Sequence, residues 1–188
     1  MQNRTFTRRL PTRFFTVFIS FFTAFMAPAL THAAPRNMPV EAFFDTDCDD
    51  AVIDLIKASR SEVLIAIYAL TKRNIAKALI QASEKGVRVQ IRYDDDQARA
   101  IDTMQELITT LEKAGIVCHP VHLEKQQAHM HHKFMVVDRK KVLTGSYNFT
   151  HQGSTINKEN VVIMSSSVLA KEFVEVFKQL NISEPAER

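Results

Sequence analysis

The pattern that most constrains this chain is the alternation of strand-like and helix-like segments from Met38 onward. Residues 63–70 form an almost unbroken apolar run, typical of a strand buried on both faces, and residues 87–93 alternate apolar and polar side chains. Between them, residues 75–86 repeat apolar side chains at helical spacing and end in Lys-Gly, a helix-ending signal. This alternation predicts an α/β fold, with a mixed, mostly parallel β-sheet and helices on both faces.

The remaining elements follow from the same periodicities. Strand patterns occur at residues 40–44, 116–118 and 160–165, and helix patterns at residues 51–58, 101–111 and 168–180. Residues 134–137 and 141–144 flank a charged turn and predict a β-hairpin. Residues 119–130 show no periodicity and predict an irregular loop.

Residues 1–33 differ from this domain pattern. They carry four arginines and no acidic residue, and residues 14–35 include an uncharged run rich in Phe, Ala and Thr. A basic stretch, an apolar run and small residues before Ala34 predict a secretory signal peptide. The alternative is an uncleaved inner-membrane anchor formed by residues 14–35, which are long enough to span a bilayer. Both interpretations predict an exported protein, periplasmic or secreted, whose single domain comprises residues 34–188.

The side chains that suggest chemistry cluster between residues 129 and 160. His131 and Lys133 are two residues apart at the start of a strand, so they point to the same face, and Ser146 and Asn148 have the same spacing after the next strand. If the two strands pair, all four side chains converge at one end of the sheet. A cation, two neutral donors and an imidazole suit the binding of a phosphoryl group and attack on its phosphorus atom.

Two carboxylates accompany this set. Asp138 is an odd step from His131, so we expect it to order the turn and not to touch substrate. Glu159 could accept the other ring N–H of His131 and fix its tautomer. The chain has no Gly-rich phosphate-binding or dinucleotide-binding motif, so nucleotide-triphosphate and dinucleotide functions are unsupported.

The spacing of these residues resembles the signature of the phospholipase D superfamily, His-x-Lys-x4-Asp-x6-Gly-Ser-x-Asn. It is matched without gaps by His131, Lys133, Asp138, Gly145, Ser146 and Asn148. Residues 63–93 and 157–160 also resemble the small secreted bacterial endonucleases of that superfamily, which carry one copy of the motif. The resemblance implies a phospholipase D/nuclease-like α/β/α sandwich that acts as a phosphodiesterase without metal or cofactor.

The single motif copy has a further implication. The family mechanism uses two histidines, so the resemblance implies a symmetric homodimer with one site on its two-fold axis. His131 of one subunit would form a phosphohistidine, and His131 of the partner subunit would act as acid and base. Lys133, Ser146 and Asn148 would bind the phosphate, and Glu159 would orient His131. Two coupled imidazoles predict a bell-shaped pH profile.

Three functions are compatible with this motif. The leading one is non-specific endonuclease activity on DNA, with RNA as a further substrate. The alternative is a phospholipase D that hydrolyses the same bond in a lipid headgroup. A non-catalytic phosphate or nucleic-acid binder is a second alternative, but such a protein has no need for the nucleophile His131. Small size and one motif copy favour nucleic acid.

A zinc site is the chemical rival of this interpretation. Six candidate ligands lie within fifteen residues: Cys118, His119, His122, His129, His131 and His132. Their spacings match no closed four-ligand pattern, and Lys133 would place a cation beside the metal, so we expect none. We expect no catalytic role for His129, His132 and His151. Residues 94–96, three aspartates, are interpreted as a solvated strand end, with a divalent-ion site as the alternative.

The chain contains two cysteines, Cys48 and Cys118. An oxidising compartment would permit a disulfide between them. Two separate buried thiols are the alternative, because no distance between them can be derived from sequence.

Net charge adds a last constraint. The chain has 24 Lys+Arg and 21 Asp+Glu, a formal charge of +3. Removal of residues 1–33 takes away four arginines and leaves 20 against 21, a formal charge of −1. Attraction to a polyanion must therefore come from local placement. We expect five basic residues near the motif to supply it: Lys133, Arg139, Lys140, Lys141 and Lys158.

Overall fold

A computed structural model describes residues 38–123 and 128–180, so the predicted signal peptide lies outside the described residues. The strands are β1 (Val40–Phe44), β2 (Glu62–Ile67), β3 (Arg88–Asp94), β4 (Val117–Val121), β5 (Lys133–Val137), β6 (Lys141–Gly145) and β7 (Asn160–Ser165). The helices are α1 (Asp47–Lys57), α2 (Arg73–Glu84), α3 (Asp95–Ala100), α4 (Asp102–Lys113), α5 (His151–Thr155) and α6 (Ser167–Gln179). Within the described ranges, no helix has the length and apolar character needed to cross a membrane.

The strands form one mixed sheet in the order β1-β7-β6-β5-β2-β3-β4. The α/β class and the mixed sheet are confirmed, but the predicted parallel majority is wrong. Only β2–β3 and β3–β4 pair in parallel, and the other four neighbouring pairs are antiparallel. The cause is the β5–β6 hairpin, because a tight turn can join only antiparallel strands. β7 then extends this antiparallel half towards β1.

Helices cover both faces of the sheet, as predicted. On one face, α1, α2 and α4 bury apolar side chains against alternate residues of the central strands, including Ile65, Ile91 and Met135. On the other face, α6 packs against the residues between them, such as Phe134 and Val136. Each central strand therefore has apolar residues on both sides, which explains the unbroken run that begins at residue 63.

The predicted β-hairpin is confirmed and closes with a tight turn. The N–H of Lys140 donates to the carbonyl of Val137 at 3.0 Å, and the two residues between them, Asp138 and Arg139, have φ of 52° and 54°. Two successive positive φ angles define a type I′ turn, whose twist matches that of the flanking strands. The predicted irregular loop is wrong at its start, because residues 119–121 belong to β4.

Cys48 and Cys118 do not form a disulfide; both are free, buried thiols. Cys48 lies in α1, and its S–H donates to the carbonyl of Phe43 in β1 at 3.6 Å. Cys118 lies in β4, at the opposite edge of the sheet. Seven strands with a spacing of about 4.8 Å separate the two edges by about 29 Å, far beyond disulfide reach.

Candidate active site

The strand order brings the separated parts of the motif together at one end of the central strands. This end is called the site edge of the sheet. Lys133 begins β5 opposite Ile67, the last residue of β2, and Gly145 ends β6 opposite Val161 near the start of β7. The carboxyl ends of β2 and β6 therefore lie beside the amino ends of β5 and β7. The residues just outside these ends form the candidate site, defined here as Tyr68, His131, Lys133, Ser146, Asn148 and Glu159.

His131 and Lys133 form the centre of the site. The Nζ atom of Lys133 lies 3.3 Å from each ring nitrogen of His131 and donates to the His131 carbonyl at 3.1 Å. Burial lowers the pKa of His131, and the charges of Lys133, His129 and His132 lower it further, against an opposing effect of Asp94. The neutral imidazole that a nucleophile requires is therefore favoured at neutral pH.

Lys133 is half-buried, and two opposing effects act on the pKa of its ammonium group. Burial lowers the pKa of its ammonium group, whereas the nearby negative charge of Glu159 raises it. The negative charge of Glu159 thus partly offsets the effect of burial on the ammonium beside the imidazole. A charged ammonium in this place can stabilise the oxygens of a phosphoryl group.

Within the single described chain, the carboxylate of Glu159 bonds to Ser146 and Asn157, and its expected role in orienting His131 stays a prediction. The carboxylate accepts a hydrogen bond from the Ser146 hydroxyl at 2.5 Å and another from the Asn157 amide at 3.0 Å. The reason for the contact with Ser146 is strand order: Glu159 precedes β7, whose direct neighbour is β6, while His131 precedes β5, one strand further away. Glu159 therefore orients Ser146 in this structure, and Ser146 in turn accepts from the backbone N–H of Asn160 at 3.1 Å.

Asn148 follows β6, and its side-chain carbonyl oxygen is unpaired among the described residues. Its Oδ1 atom is buried and has no hydrogen-bond partner within the part of the chain that the structure describes. An unpaired buried acceptor carries a desolvation cost of about 1–3 kcal/mol. The amide oxygen is an acceptor, so any contact of Asn148 with phosphoryl oxygens must come from its Nδ2 donor.

Gly145 is required by a close approach of two strands. A Cβ atom at this position would lie 2.0 Å from the carbonyl oxygen of Asn160 and 2.8 Å from the Cα of Val161. No other residue type fits there without separating β6 from β7. The glycine thereby sets the short distance across which Ser146 and Glu159 meet.

Asp138 lies at the far end of β5, about 17 Å of strand away from Lys133. Its carboxylate accepts from the backbone N–H groups of Arg60, Ser61 and Glu62 at 2.7–3.2 Å. Partial burial opposes ionisation, but these hydrogen bonds dominate and hold the pKa of Asp138 below its usual value. The residue ties the β5–β6 turn to the segment before β2 and does not reach the site.

The basic residues are less concentrated at the site than expected. Arg139, Lys140 and Lys141 lie at the far end of the hairpin with Asp138, and Arg139 donates to Glu62 at 2.8 Å. Lys158 is near the site but pairs with Asp45 at 2.9 Å. Lys133 is therefore the cation that the described site itself presents.

The three aspartates at residues 94–96, where β3 ends and α3 begins, do not form a uniformly solvated strand end, contrary to the expectation. Asp94 is only 2% exposed, and its carboxylate accepts from the N–H groups of Gln97 and Met130 at 2.9 and 2.7 Å. It thereby caps α3 and anchors the segment that leads to His131. The sequence pattern did not predict this capping role, although an aspartate directly before a helix is a common N-cap residue.

The described residues include one group that could hold a metal ion. The ligand atoms of Asp95, Asp96 and His122 lie within 4.8 Å of one another. This group differs from the candidate zinc set of the sequence analysis, from which it takes only His122. Asp95 already pairs with Arg99 at 2.7 Å, which competes with a metal for that carboxylate.

Tyr68 is a site residue that the sequence analysis did not identify. Its ring centroid lies 4.6 Å from that of His131, and the Nζ of Lys133 lies 5.2 Å from the ring centroid. The only sequence signal is its position at the end of the buried run that forms β2, which becomes informative once β2 is known to pair with β5.

A histidine–lysine pair beside serine, asparagine and glutamate at a sheet edge is a site for chemistry at phosphorus, and comparison with known proteins identifies the family. The family model described as "Cardiolipin synthase, PLD-like domain" matches residues 52–181. This chain belongs to the phospholipase D superfamily.

Relatives with this similarity include mitochondrial cardiolipin hydrolases. The protein of Xenopus laevis is 31% identical over 180 residues, covering 94% of this chain and 80% of that protein. The Mus musculus protein is 35% identical over 154 residues, covering 82% and 66%, and the Chlamydomonas reinhardtii protein is 35% identical over 128 residues, covering 68% and 55%. The chain thus spans little more than half the length of the algal relative.

Solved structures with the same fold are similar in size to the domain described here. Nuc from Salmonella typhimurium, a phospholipase D family member, aligns with a TM-score of 0.71 at 25% identity, covering 77% of this chain and 94% of Nuc. NucT from Helicobacter pylori aligns with a TM-score of 0.69 at 22% identity, covering 77% and 96%.

Proposed function

We propose that this protein is a metal-independent, non-specific endonuclease that hydrolyses the phosphodiester bonds of DNA, and of RNA by the same chemistry. The observation that carries the proposal is the contact between Lys133 and both ring nitrogens of His131 at an exposed sheet edge. The imidazole supplies the nucleophile and the ammonium supplies the positive charge that metal ions provide in other phosphodiesterases.

The proposed reaction has two steps and uses two subunits. Neutral His131 attacks phosphorus, the bond from phosphorus to the leaving oxygen breaks, and His131 of the partner subunit gives that oxygen a proton. Water then attacks the phosphohistidine, the partner subunit's His131 removes a proton from that water, and His131 is released. Lys133, Ser146 and Asn148 hold the phosphoryl oxygens, and Glu159 orients Ser146.

Nucleic acid is the favoured substrate because the site is open. His131 and Ser146 are exposed, so a long polymer can place any of its phosphates against them. The alignment also spans 94% of Nuc and 96% of NucT, whereas it covers 55–80% of the three cardiolipin hydrolases described above. This agrees with the small single-motif endonucleases that the sequence resembles.

A phospholipid substrate is the second candidate, and two observations favour it. The curated relatives described above are named cardiolipin hydrolases. In addition, two large apolar side chains are exposed near the site edge: Phe44, 60% exposed, lies opposite Asn160, and Ile156, 70% exposed, precedes Glu159 by three residues. Such side chains could enter a lipid surface.

The same experiment tests both candidates. The purified protein is incubated in excess EDTA with plasmid DNA, single-stranded DNA, RNA, and vesicles of cardiolipin or phosphatidylcholine. We expect nucleic-acid cleavage that persists in EDTA and falls at least about a thousandfold in His131→Gln, because the nucleophile is lost. His151→Gln, which replaces an exposed histidine on α5, is the matched control and should retain activity.

Each other outcome changes the proposal in a defined way. Cleavage of lipid alone would replace the endonuclease with the phospholipase. Loss of cleavage in EDTA would contradict a metal-independent reaction. Binding of DNA without hydrolysis of any substrate would support a non-catalytic binder. We also propose, from the pattern of residues 1–33, that the protein is exported, and fractionation of the native host should find it outside the cytoplasm.

A further inference from the structure

Tyr68 lies against both members of the His131–Lys133 pair. The rings of Tyr68 and His131 are 4.6 Å apart between centroids and tilted by 57°, and the ammonium of Lys133 lies 5.2 Å from the Tyr68 centroid. An ammonium group over an aromatic ring is attracted by the negative face of that ring, so this contact favours the charged form of Lys133. One aromatic side chain therefore contacts the proposed nucleophile and the proposed phosphate-binding cation.

The backbone around Tyr68 is held in place by the sheet. All six residues of β2 are buried, and Ile67 lies opposite Lys133 in the β2–β5 register. Immediately beyond this pair, the N–H of Tyr68 donates to the carbonyl of His132 at 3.0 Å. The segment that bears the tyrosine and the segment that bears the histidine are thus directly hydrogen-bonded. The half-buried side chain of Tyr68 has only two torsions, so fixing its ring against His131 costs little conformational entropy.

The contact bears on the protonation of His131. The charged groups that face this imidazole are Lys133, His129 and His132, which disfavour its protonation, and Asp94, which favours it. Burial is nevertheless the largest cause of its lowered pKa. The Tyr68 ring contacts the imidazole of His131 and so contributes to that burial.

We propose that Tyr68 is a positioning residue, whose ring fixes the imidazole of His131 beside Lys133 in the orientation needed for attack on phosphorus. The inference deepens the proposed function and rests on it for its kinetic readout. The ring contacts His131 and Lys133, so it acts through them. Its hydroxyl has no part in this action, and phenylalanine should replace it.

The proposal is tested with Tyr68→Leu and Tyr68→Phe. In Tyr68→Leu, we expect kcat to fall about 10- to 100-fold, because a misplaced reacting group costs rate, while KM changes less than about twofold. Loss of burial should raise the pKa of His131, so both limbs of the pH–rate profile move to higher pH. Tyr68→Phe should retain the wild-type rate and profile.

The control variant is Ile65→Val, which removes one buried methyl group from β2, the strand directly before Tyr68, and does not touch His131. It should lower the melting temperature without moving the pH profile. A Tyr68→Leu variant that loses stability but keeps the wild-type kcat and profile would overturn the proposal, as would a Tyr68→Phe variant as slow as Tyr68→Leu.

A second readout does not depend on any substrate. NMR titration of histidine-labelled free protein, with His131→Gln used for assignment, should show a raised His131 pKa in Tyr68→Leu and a wild-type pKa in Tyr68→Phe. The wild-type His131 ring protons should also show the upfield shift caused by a neighbouring aromatic ring.

If no substrate is cleaved but these shifts appear, the proposed function fails and the positioning contact stands. If the shifts are absent, the contact itself is refuted. Should Tyr68→Leu fail to fold, Tyr68→Met and the wild-type ring shift supply the same tests.

Discussion

At the scale of single residues, the site shows how neighbouring side chains set each other's protonation. Burial and the charge of Lys133 both lower the pKa of His131, and burial lowers the pKa of Lys133 against an opposing effect of Glu159. The result is a neutral nucleophile beside a cation, which is the combination that attack on a phosphodiester needs. Replacing Glu159 should therefore change the pKa of Lys133 directly and the pKa of His131 only through Lys133.

The first prediction concerns this carboxylate. Glu159→Gln removes the charge that raises the pKa of Lys133 and weakens the acceptor of the Ser146 hydroxyl. We expect a lower pKa for the Lys133 ammonium, measured by NMR of labelled lysine, and a fall in kcat of about 10- to 100-fold. Glu175→Gln on α6 is the control and should change neither value. A Lys133 pKa that rises or stays constant in Glu159→Gln would contradict the electrostatic link.

The sequence predicts the members of the site better than their contacts. His131, Lys133, Ser146 and Asn148 follow from spacing along two strands, because side-chain direction in a strand has a fixed period. The partner of Glu159 depends on which strand β7 joins, and this is a long-range property that local patterns do not contain. Tyr68 was missed for the same reason: its importance depends on the pairing of β2 with a strand about 70 residues later.

At the scale of secondary-structure elements, the β5–β6 hairpin separates two functions. Its open end carries Lys133 and Ser146, whereas its turn carries Asp138, which binds three backbone N–H groups of the segment before β2. The turn thus connects the antiparallel half of the sheet to the parallel half. This connection lies about 17 Å of strand away from Lys133, so it supports the sheet without reaching the site.

A second prediction follows for stability. Asp138→Asn should lower the free energy of unfolding by about 1.5–3 kcal/mol, the range for hydrogen bonds to a charged group. The lowered pKa of Asp138 means that its contribution is complete above about pH 3.9, the unfolded value, and is lost as pH falls through the folded value. Urea titrations from pH 7 to 2 should therefore show the two proteins converging in acid.

Asp54→Asn, at an exposed surface pair with Lys57, provides the comparison and should cost less than about 0.5 kcal/mol. Folded Asp138→Asn should keep kcat within about threefold, since the residue lies outside the site. A stability difference between Asp138→Asn and wild type that persists undiminished at pH 2 would exclude ionised Asp138 as its source.

The third prediction concerns the close approach of β6 and β7. Gly145→Ala places a Cβ atom 2.0 Å from the Asn160 carbonyl, so the strands must separate. We expect a loss of about 2–3 kcal/mol in unfolding free energy and a large loss of activity, because Ser146 and Glu159 move apart. Thermal melts and cleavage assays measure both.

Gly115→Ala is the matched control, because its added Cβ meets nothing within 4 Å and the only cost is the strain of a φ of 80°. It should lose about 1 kcal/mol and keep its activity. Equal effects of the two substitutions on activity would show that the distance between the strands is unimportant.

The elements that sequence reasoning missed are the short ones. α3 and α5 have six and five residues, too few for a helical apolar stripe, and each is begun by a capping side chain, Asp94 or Thr150. The parallel majority was wrongly predicted because alternation of strands and helices does not say where the hairpin enters the sheet. The longer helices and the buried strands were predicted, since their apolar patterns extend over several turns or a whole strand.

At the scale of the whole molecule, the proposed chemistry needs a second subunit. The described residues present one His131–Lys133 pair at the sheet edge, and the reaction requires a nucleophile and a separate acid. A two-fold axis at this edge would supply both from identical chains. The same symmetry would double the cations available to a substrate, which matters because Lys158 is paired with Asp45 and the other basic residues of the hairpin lie at its far end.

The fourth prediction tests this sharing. Wild-type and His131→Gln chains are mixed at varying ratios, dissociated and reassociated. If both copies of His131 are required, activity follows the square of the wild-type fraction, so an equal mixture retains about a quarter of the wild-type activity. Sites confined to single subunits would instead retain about half. The shared site is ruled out if activity depends linearly on the wild-type fraction. It is also ruled out if sedimentation shows a monomer that is fully active.

The position of Asp138 has an evolutionary consequence. Of the six signature residues, Asp138 and Gly145 shape the scaffold, while the other four lie where reaction occurs. A descendant of this gene that exchanged His131 for another residue would keep its scaffold and its phosphate-holding groups. Under the proposed function, that one substitution would turn a hydrolase into a receptor for its own substrate, and a gene census that counted partial signatures as hydrolases would misclassify it.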